Sequence, residues 1–480
     1  LRGVGSEVRL LAASVRRPGA SIAVVMPGVR SDLGAVQGFG RLRGVRVLRD
    51  GVPVSLPDGQ TPIDWIDLET VDRVDVVRGT AAALYGNAAG GVVDMRSRAP
   101  SALPLALQAR WWNGGGLQRA NVQASGSLRG ALGDSSGVLQ QSQWLASFTR
   151  TAGDGPRAWS RFDASSVFAR GLTTVGGTRF ELQGTVYDAP RAENTGALTA
   201  AELSRDPRLP DSLNITRRSR KAVQQTQLAL MAERDVGNGQ LRASLFGGTR
   251  MLDNPLPFAM VAVDRAVMGG SVHGSWRLPS TPWPLRLGAG VDAQRLVDER
   301  YNYENCAEQL PSAPPSTRCP VPGNERGATR LDQQERAANL GGYARVEIEA
   351  PRQVFVSTAL RFDQVQFGVR DRFITASNAD DSGDRTLRAV SPMLGVTWRA
   401  RPRWSLYGNL ATAFETPTVT ELTNQETGAA GLNATLEPQR TRTMEVGTQA
   451  LLGQRVRADL ALFEAVVQDE LVPFDVPNQP

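Results

Sequence analysis

From about residue 105 to residue 465 the chain repeats one pattern. A segment of about ten residues alternates apolar and polar side chains, and a polar stretch rich in Gly, Asp, Ser and Pro follows it. Phe180, Leu182, Gly184 and Val186 alternate with Glu181, Gln183, Thr185 and Tyr187. Val356, Thr358, Leu360 and Phe362 alternate with Ser357, Ala359, Arg361 and Asp363, and 404–414 and 456–462 read the same way. Period two sends successive side chains to opposite faces, so each segment is a strand with one apolar face. About fifteen such strands fit the stretch. No run approaches the ~20 apolar residues of a membrane helix. Averages hide the lipid-facing band of a β-barrel, so that class stays open.

A soluble β-sandwich would alternate too. Two features favour a membrane barrel. The alternating segments are near the roughly 9–11 residues that a tilted spanning strand needs. The connections also differ by side. Those at 279–282 and 400–403 are short, whereas 188–221, 298–333 and 415–440 are long. Short turns on one rim and long loops on the other are the outer-membrane arrangement. Trp111, Trp112, Trp398 and Trp404 at strand ends suit interfacial girdles.

The first hundred residues differ. Residues 45–54 read as a strand, an Asp50-Gly51 turn and a second strand. Residues 68–77 read as a short capped helical turn running into another strand. Residues 78–97 carry Arg78-Gly79, Leu84-Tyr85-Gly86-Asn87 and Gly90-Gly91, whose glycines allow sharp turns and close packing. Together with Asp58-Gly59-Gln60 and Ile66-Asp67, these residues resemble the plug domain of TonB-dependent outer-membrane receptors over about 44–100. The second half is similar to the barrel of ferric-siderophore receptors at 391–398, 406–409, 413–418, 421–422, 431–433, 436–440, 444–447 and 469–470. Residues 192–199 resemble a loop element of the ferric-citrate type.

The resemblance implies a mostly β protein. A transmembrane antiparallel barrel, of about twenty-two strands in the family, surrounds a small α/β plug. Plug 1–100 and barrel 101–480 are the expected domains, with 1–40 atypical. A truncated or damaged reading frame is the preferred explanation of 1–40, and a divergent plug start is the alternative. The missing TonB box, signal peptide and last strands give the expectation that the chain is incomplete at both ends.

The implied function is uptake of a ferric siderophore across the outer membrane of a Gram-negative bacterium, energised by TonB and its inner-membrane complex. The implied state is a monomer with no cofactor, iron entering only within the transported chelate. Another cargo (cobalamin, copper or a carbohydrate) and an unplugged porin or adhesin are the alternatives. The plug motif Arg78, Gly79, Leu84, Tyr85, Gly86, Asn87, Gly90 and Gly91 argues against the latter. Arg78 is expected either to pair with barrel-wall carboxylates or to be a solvated turn residue, and Leu84 and Tyr85 to be plug core. Ligand contacts are sought at Asp58 and Gln60, near a plug apex by resemblance, and at Arg110, Trp111 and Trp112 near the first barrel strand. Arginine and aromatic side chains suit anionic chelates.

The net charge is +6 and the pI about 9.8. The basic residues are scattered among acidic ones and are nearly all Arg, with Lys221 the sole lysine. That is no nucleic-acid footprint. Base composition of the genome or an Arg-rich barrel interior explains the bias. Cys306 and Cys319 flank a Pro-rich stretch, and a disulfide across a surface loop suits an oxidising compartment; two free thiols are the other reading. No metal site is expected, because His273 is the one histidine and lies far from the cysteines. Gly-x-Ser-x-Gly, His-Glu-x-x-His and P-loop motifs are absent, so no enzyme is expected.

Overall fold

The computed structural model describes residues 6–16 (backbone only), 44–78, 84–128, 142–278, 282–423, 425, 430–453 and 456–471; of Arg78 only the backbone is described. Strand β1 (Ser6–Arg16) lies in a large sheet. A small sheet follows, made of β2 (Val45–Arg49), β3 (Val52–Pro53), β4 (Val71–Arg78) and β5 (Gly91–Ser97), in the order β3-β2-β5-β4. Asp50 and Gly51 both take positive φ, 53° and 84°, as the tight β2–β3 hairpin requires. Leu68–Thr70 is a single 3-10 turn, capped by the Asp67 side chain accepting from the Glu69 N–H. β2 runs parallel to β5, and β4 antiparallel to it.

The remaining strands are β6 (Ala106–Gly114), β7 (Leu117–Leu128), β8 (Ser142–Asp154), β9 (Arg161–Val175), β10 (Thr178–Glu193), β11 (Arg220–Val236), β12 (Gly239–Pro255) and β13 (Met260–Leu278). They continue as β14 (Leu285–Asn305), β15 (Arg326–Ala350), β16 (Val354–Asp371), β17 (Gly383–Arg401), β18 (Trp404–Glu415), β19 (Gln439–Leu452) and β20 (Val456–Gln468). Each pairs antiparallel with the next, and β1 lies beside β20. Among the described residues no pairing joins β6 to β1. The fifteen strands from β6 to β20 match the sequence count.

Their lengths do not match it, running from 9 residues in β6 to 25 in β15. Alternation of apolar and polar side chains ends before the strands do, and the hydrogen-bonded ladder continues with polar residues on both faces, as in the first half of β15. The long connections accordingly shrink to 194–219, 306–325 and 416–438, all on one rim. The opposite rim has tight turns, such as 176–177 and 402–403. The turn at 279–281 lies outside the described residues.

The two faces separate as the period predicts. Leu182 and Val186 are half exposed, while Gln183, Thr185 and Tyr187 are buried. Leu360 and Phe362 point outward, while Arg361 and Asp363 are each 1% exposed. Outward Trp276, Trp398 and Trp404 lie at the short-turn ends of their strands. The inner face closes on the small sheet. Val45, Val47, Trp65 and Met95 of the small domain share one apolar cluster with Ala164, Tyr187, Val223 and Leu252 of the wall. Contacts from β6, β7, β11, β12 and β16 and from residue 416, just beyond β18, reach the small domain, so the large sheet wraps round it as a barrel round a plug.

Candidate functional site

One edge of the plug is acidic and meets a basic wall. Asp64 accepts from Arg250 Nη1 at 3.0 Å and Nη2 at 2.8 Å, and from Lys221 Nζ at 2.8 Å. Burial alone would raise its carboxyl. The hydrogen bonds and charge of Arg250, with Lys221 beside it, outweigh burial and hold it down at about 2. Asp67 accepts from Arg119 on β7 and from the Thr149 hydroxyl on β8. Glu69 pairs with Arg110 at 2.7 Å, and its carbonyl accepts from Gln123 Nε2 at 2.8 Å.

A second contact reverses the charges. Arg361 on β16 is clasped by Asp363 Oδ1 at 2.7 Å and by Asp292 of β14 at 2.7 Å and 3.0 Å. Its Nη1 also donates to the plug carbonyl of Leu84 at 3.2 Å. Gly86 sits over this cluster with φ +81°, and a Cβ there would lie 2.9 Å from Arg361 Nη2. Asn87 Nδ2 donates to the Thr416 hydroxyl at 2.9 Å. A Cβ on Gly44 would lie 2.6 Å from the Glu415 carboxylate.

The residues singled out in the sequence take the following places. Asp58 and Gln60 are buried, because the 416–423 segment folds over their turn; Val419 and Leu422 of helix α3 pack on neighbouring Leu56. (Helices α1, Ala200–Arg205, and α2, Ser212–Thr216, precede α3, Val419–Thr423.) Arg110 is paired with Glu69 at 2.7 Å. Trp111 faces outward, whereas Trp112 shares the inner face of Arg119 and remains half exposed there. Tyr85 is 38% exposed and so lies outside the plug core, since its turn caps the domain instead of underlying its sheet. Gly79 and the Arg78 side chain lie outside the described residues. Gly91 begins β5, and just before it the Gly90 N–H donates to the Gly44 carbonyl at 2.6 Å. His273 faces inward and shares a 3.2 Å hydrogen bond with the Tyr343 hydroxyl. The Arg361 cluster was missed, although Arg-x-Asp at two inward positions of one strand was a usable signal.

The long-loop rim is tied together. Arg157 donates to the carbonyls of Leu209 at 2.8 Å and Gly196 at 2.9 Å, which holds the α1–α2 loop. Asn305 Nδ2 donates to the carbonyls of Arg217 and Leu256, both at 2.8 Å. Glu325 pairs with Arg218 at 2.6 Å and Arg220 at 2.9 Å. Burial pushes its carboxyl up, but the two guanidinium groups hold it below the usual range. Cys306 and Cys319 are joined in a disulfide, with Cα atoms 5.8 Å apart. Closing so short a loop restricts the open chain by about 3 kcal/mol in the chain-entropy model. Reduction, or Cys306→Ser with Cys319→Ser, should therefore speed proteolytic nicking within 306–325 while the barrel keeps its heat-modifiable gel mobility. Loss of that mobility would show that the disulfide supports the barrel itself.

The chain matches the family model described as TonB dependent receptor-like, beta-barrel, over residues 139–480, and that of the TonB-dependent Receptor Plug Domain over 9–92. It is 35% identical over 104 residues to the ferric enterobactin receptor PirA of Pseudomonas aeruginosa, a match covering 18% of this chain and 14% of that protein. The solved structure of the ferric citrate transporter FecA, unliganded, superposes with a TM-score of 0.71 at 18% identity, covering 94% of this chain and 69% of FecA. The siderophore receptor PiuA from Acinetobacter baumannii gives 0.67 at 13% identity, over 88% of this chain and 66% of PiuA. At these identities the structural likeness is one of fold.

Proposed function

The chain belongs to the TonB-dependent receptor family, and from that premise we propose that it is an outer-membrane importer of a ferric siderophore, energised by TonB. The family is one of receptors, not enzymes. The observation that carries the reading is a plug held inside the barrel by polar contacts at Asp64, Asp67, Glu69, Leu84 and Asn87. A plug held in this way stands in the path of any cargo. Import then requires the plug to shift, which needs work from outside the chain. The polar part of the contact suits such a shift, because water can replace each broken hydrogen bond, whereas the apolar cluster shared by plug and wall has to be opened against burial. The names of the similar receptors support an iron chelate as cargo.

The test is growth of an iron-starved strain lacking its own receptors, complemented with this gene in full length and fed single siderophores. Growth on at least one chelate, abolished by deleting TonB, is expected. Growth on none, or growth independent of TonB, would refute the proposal.

A further inference from the structure

Strand β2 reads Val-Arg-Val-Leu-Arg, and all five residues are buried. A period of two puts Val45, Val47 and Arg49 on one face. Val45 and Val47 use that face to meet Ala164 of β9 and Tyr187 of β10. Arg49 stands where a third apolar side chain is due, and it is only 2% exposed. Its Nε donates to the Ser97 hydroxyl at 2.9 Å and its Nη2 to the Thr70 hydroxyl at 2.6 Å. Both hydroxyls belong to the plug. From the wall it meets the ring of Phe168 on β9, whose centroid lies 3.9 Å from the guanidinium carbon. Its Nη1 is buried without a hydrogen-bond partner.

Among the described residues Arg49 makes no ion pair, and the carboxylates near it are engaged elsewhere. Asp50 accepts from the Ser97 N–H at 2.9 Å, Asp67 from Arg119 and Thr149, and Glu181 from Arg170 at 2.6 Å. Arg170 adds a like charge, since its Nη1 donates to the carbonyls of Ser97 and Arg98, both at 3.0 Å. Burial pushes the Arg49 guanidinium down to about 10 against the opposing effect of Asp50, Asp67 and Glu181, so it stays charged at neutral pH. Inward arginines such as Arg250, Arg265 and Arg361 are instead clasped by carboxylates. Two neutral hydroxyls and a ring face restore part of the hydration that a guanidinium gives up, and the Nη1 donors restore none. The docked plug therefore holds this cation at a net cost. Moving the plug off β9 takes Phe168 away, while Ser97 and Thr70 travel with Arg49. Water then reaches the guanidinium and the cost ends.

We infer that Arg49 is a release residue, a buried cation without a carboxylate that biases the plug to part from the wall at β9 before it parts at β14–β16, where Arg361 is clasped. It touches no cargo and acts through the position of the plug, so it is a positioning residue. This role rests on the import reading, in which the plug has to shift, and it names the flank that opens first under the pull.

The test is thiol labelling beneath the plug. Ser166 lies two residues from Phe168 on the same face of β9, and Ser391 lies opposite Arg361 on β17. Both are buried with unpartnered hydroxyls, and the two native cysteines are joined, so Ser166→Cys and Ser391→Cys each give a single probe. The rate at which a soluble maleimide labels the receptor in mild detergent reads how often each flank opens. Ser166→Cys should label faster than Ser391→Cys. Adding Arg49→Met to Ser166→Cys fills the space without the charge and should slow labelling by about tenfold or more. Arg49→Lys keeps the charge and loses the planar fork, so it should label at least as fast as the parent. Phe168→Leu removes the ring and should label faster. These two variants keep the test decisive should Arg49→Met fail to reach the heat-modifiable form. Labelling of Arg49→Met at or above the parental rate overturns the role. So does slowing by Arg49→Lys or by Phe168→Leu, or a Ser391→Cys probe that labels as fast as Ser166→Cys. Growth on no siderophore with the labelling order intact would refute the importer reading and leave Arg49 a release residue of the plug.

Discussion

Arg361→Leu is expected to lower the stability of the folded receptor by about 3–5 kcal/mol and to make its lumen leak. The magnitude follows from what is left behind: Asp292 and Asp363, held 2.7–3.0 Å from one guanidinium, lose the cation that clasps them both, and the nearby charge of buried Arg46 is left to offset two carboxylates. The leak follows from the fourth contact, the Leu84 carbonyl, which ties the plug to the wall at the same residue. A urea midpoint in detergent reads the first effect, and entry of a large, normally excluded antibiotic reads the second. The two separate in a triple variant. Arg361→Met with Asp292→Leu and Asp363→Leu removes the charges together, a replacement often neutral in other proteins, but it still leaves Leu84 without its donor. The midpoint should recover in part, since buried Arg46 then loses the charge of both carboxylates, while the leak remains. If both recover, Arg361 serves the wall alone. Gly86→Ala attacks the same joint from the plug side, adding a Cβ 2.9 Å from Arg361 Nη2 at a φ of +81°. A left-handed non-glycine residue alone costs about 1–2 kcal/mol.

That joint also marks the boundary of what could be read without the structure. Alternation assigned Leu360 and Phe362 to one face and Arg361 and Asp363 to the other, which is correct. It could not say that the partner of Arg361 lies on β14 and in a plug turn near residue 84, because period two carries no information about distant strands. The plug strands were legible because local chemistry specifies them: Asp50-Gly51 demands a hairpin, and Asp67 caps the turn before β4. The burial of Asp58 and Gln60 was not legible for the opposite reason. Their turn is local, but its burial depends on how 416–423 folds, and a long loop has no period to read. Arg110 was placed near the first barrel strand, and its pairing with Glu69 could not be read, since the acidic edge of the plug could not be matched to β6 before both were seen together.

Asp64→Asn should cost less than the loss of Arg361 at neutral pH, and its cost should vanish in acid. Asp64 is about a quarter exposed, and its carboxyl is depressed from 3.8 to about 2 by Arg250 and Lys221 against the opposing effect of burial. A carboxyl whose folded pKa is lowered stabilises fully above its unfolded pKa, and that contribution is lost as pH falls through the folded one. The window here runs from about pH 4 down to about pH 2, and the linked stability is about 2 kcal/mol. The asparagine variant keeps the shape and lacks the charge, so it has no such window. Urea midpoints of the two proteins should therefore differ at pH 5 and converge toward pH 2. A gap that stays constant with pH would show that Asp64 acts through its shape and hydrogen-bond geometry alone. Adding Lys221→Met to Asp64→Asn removes a cation that is charged throughout this range, so it should move the Asp64→Asn midpoint by the same amount at pH 5 and at pH 2. Plug release, followed by antibiotic entry, should track the same curve, since Asp64 belongs to the plug and both its partners to the wall.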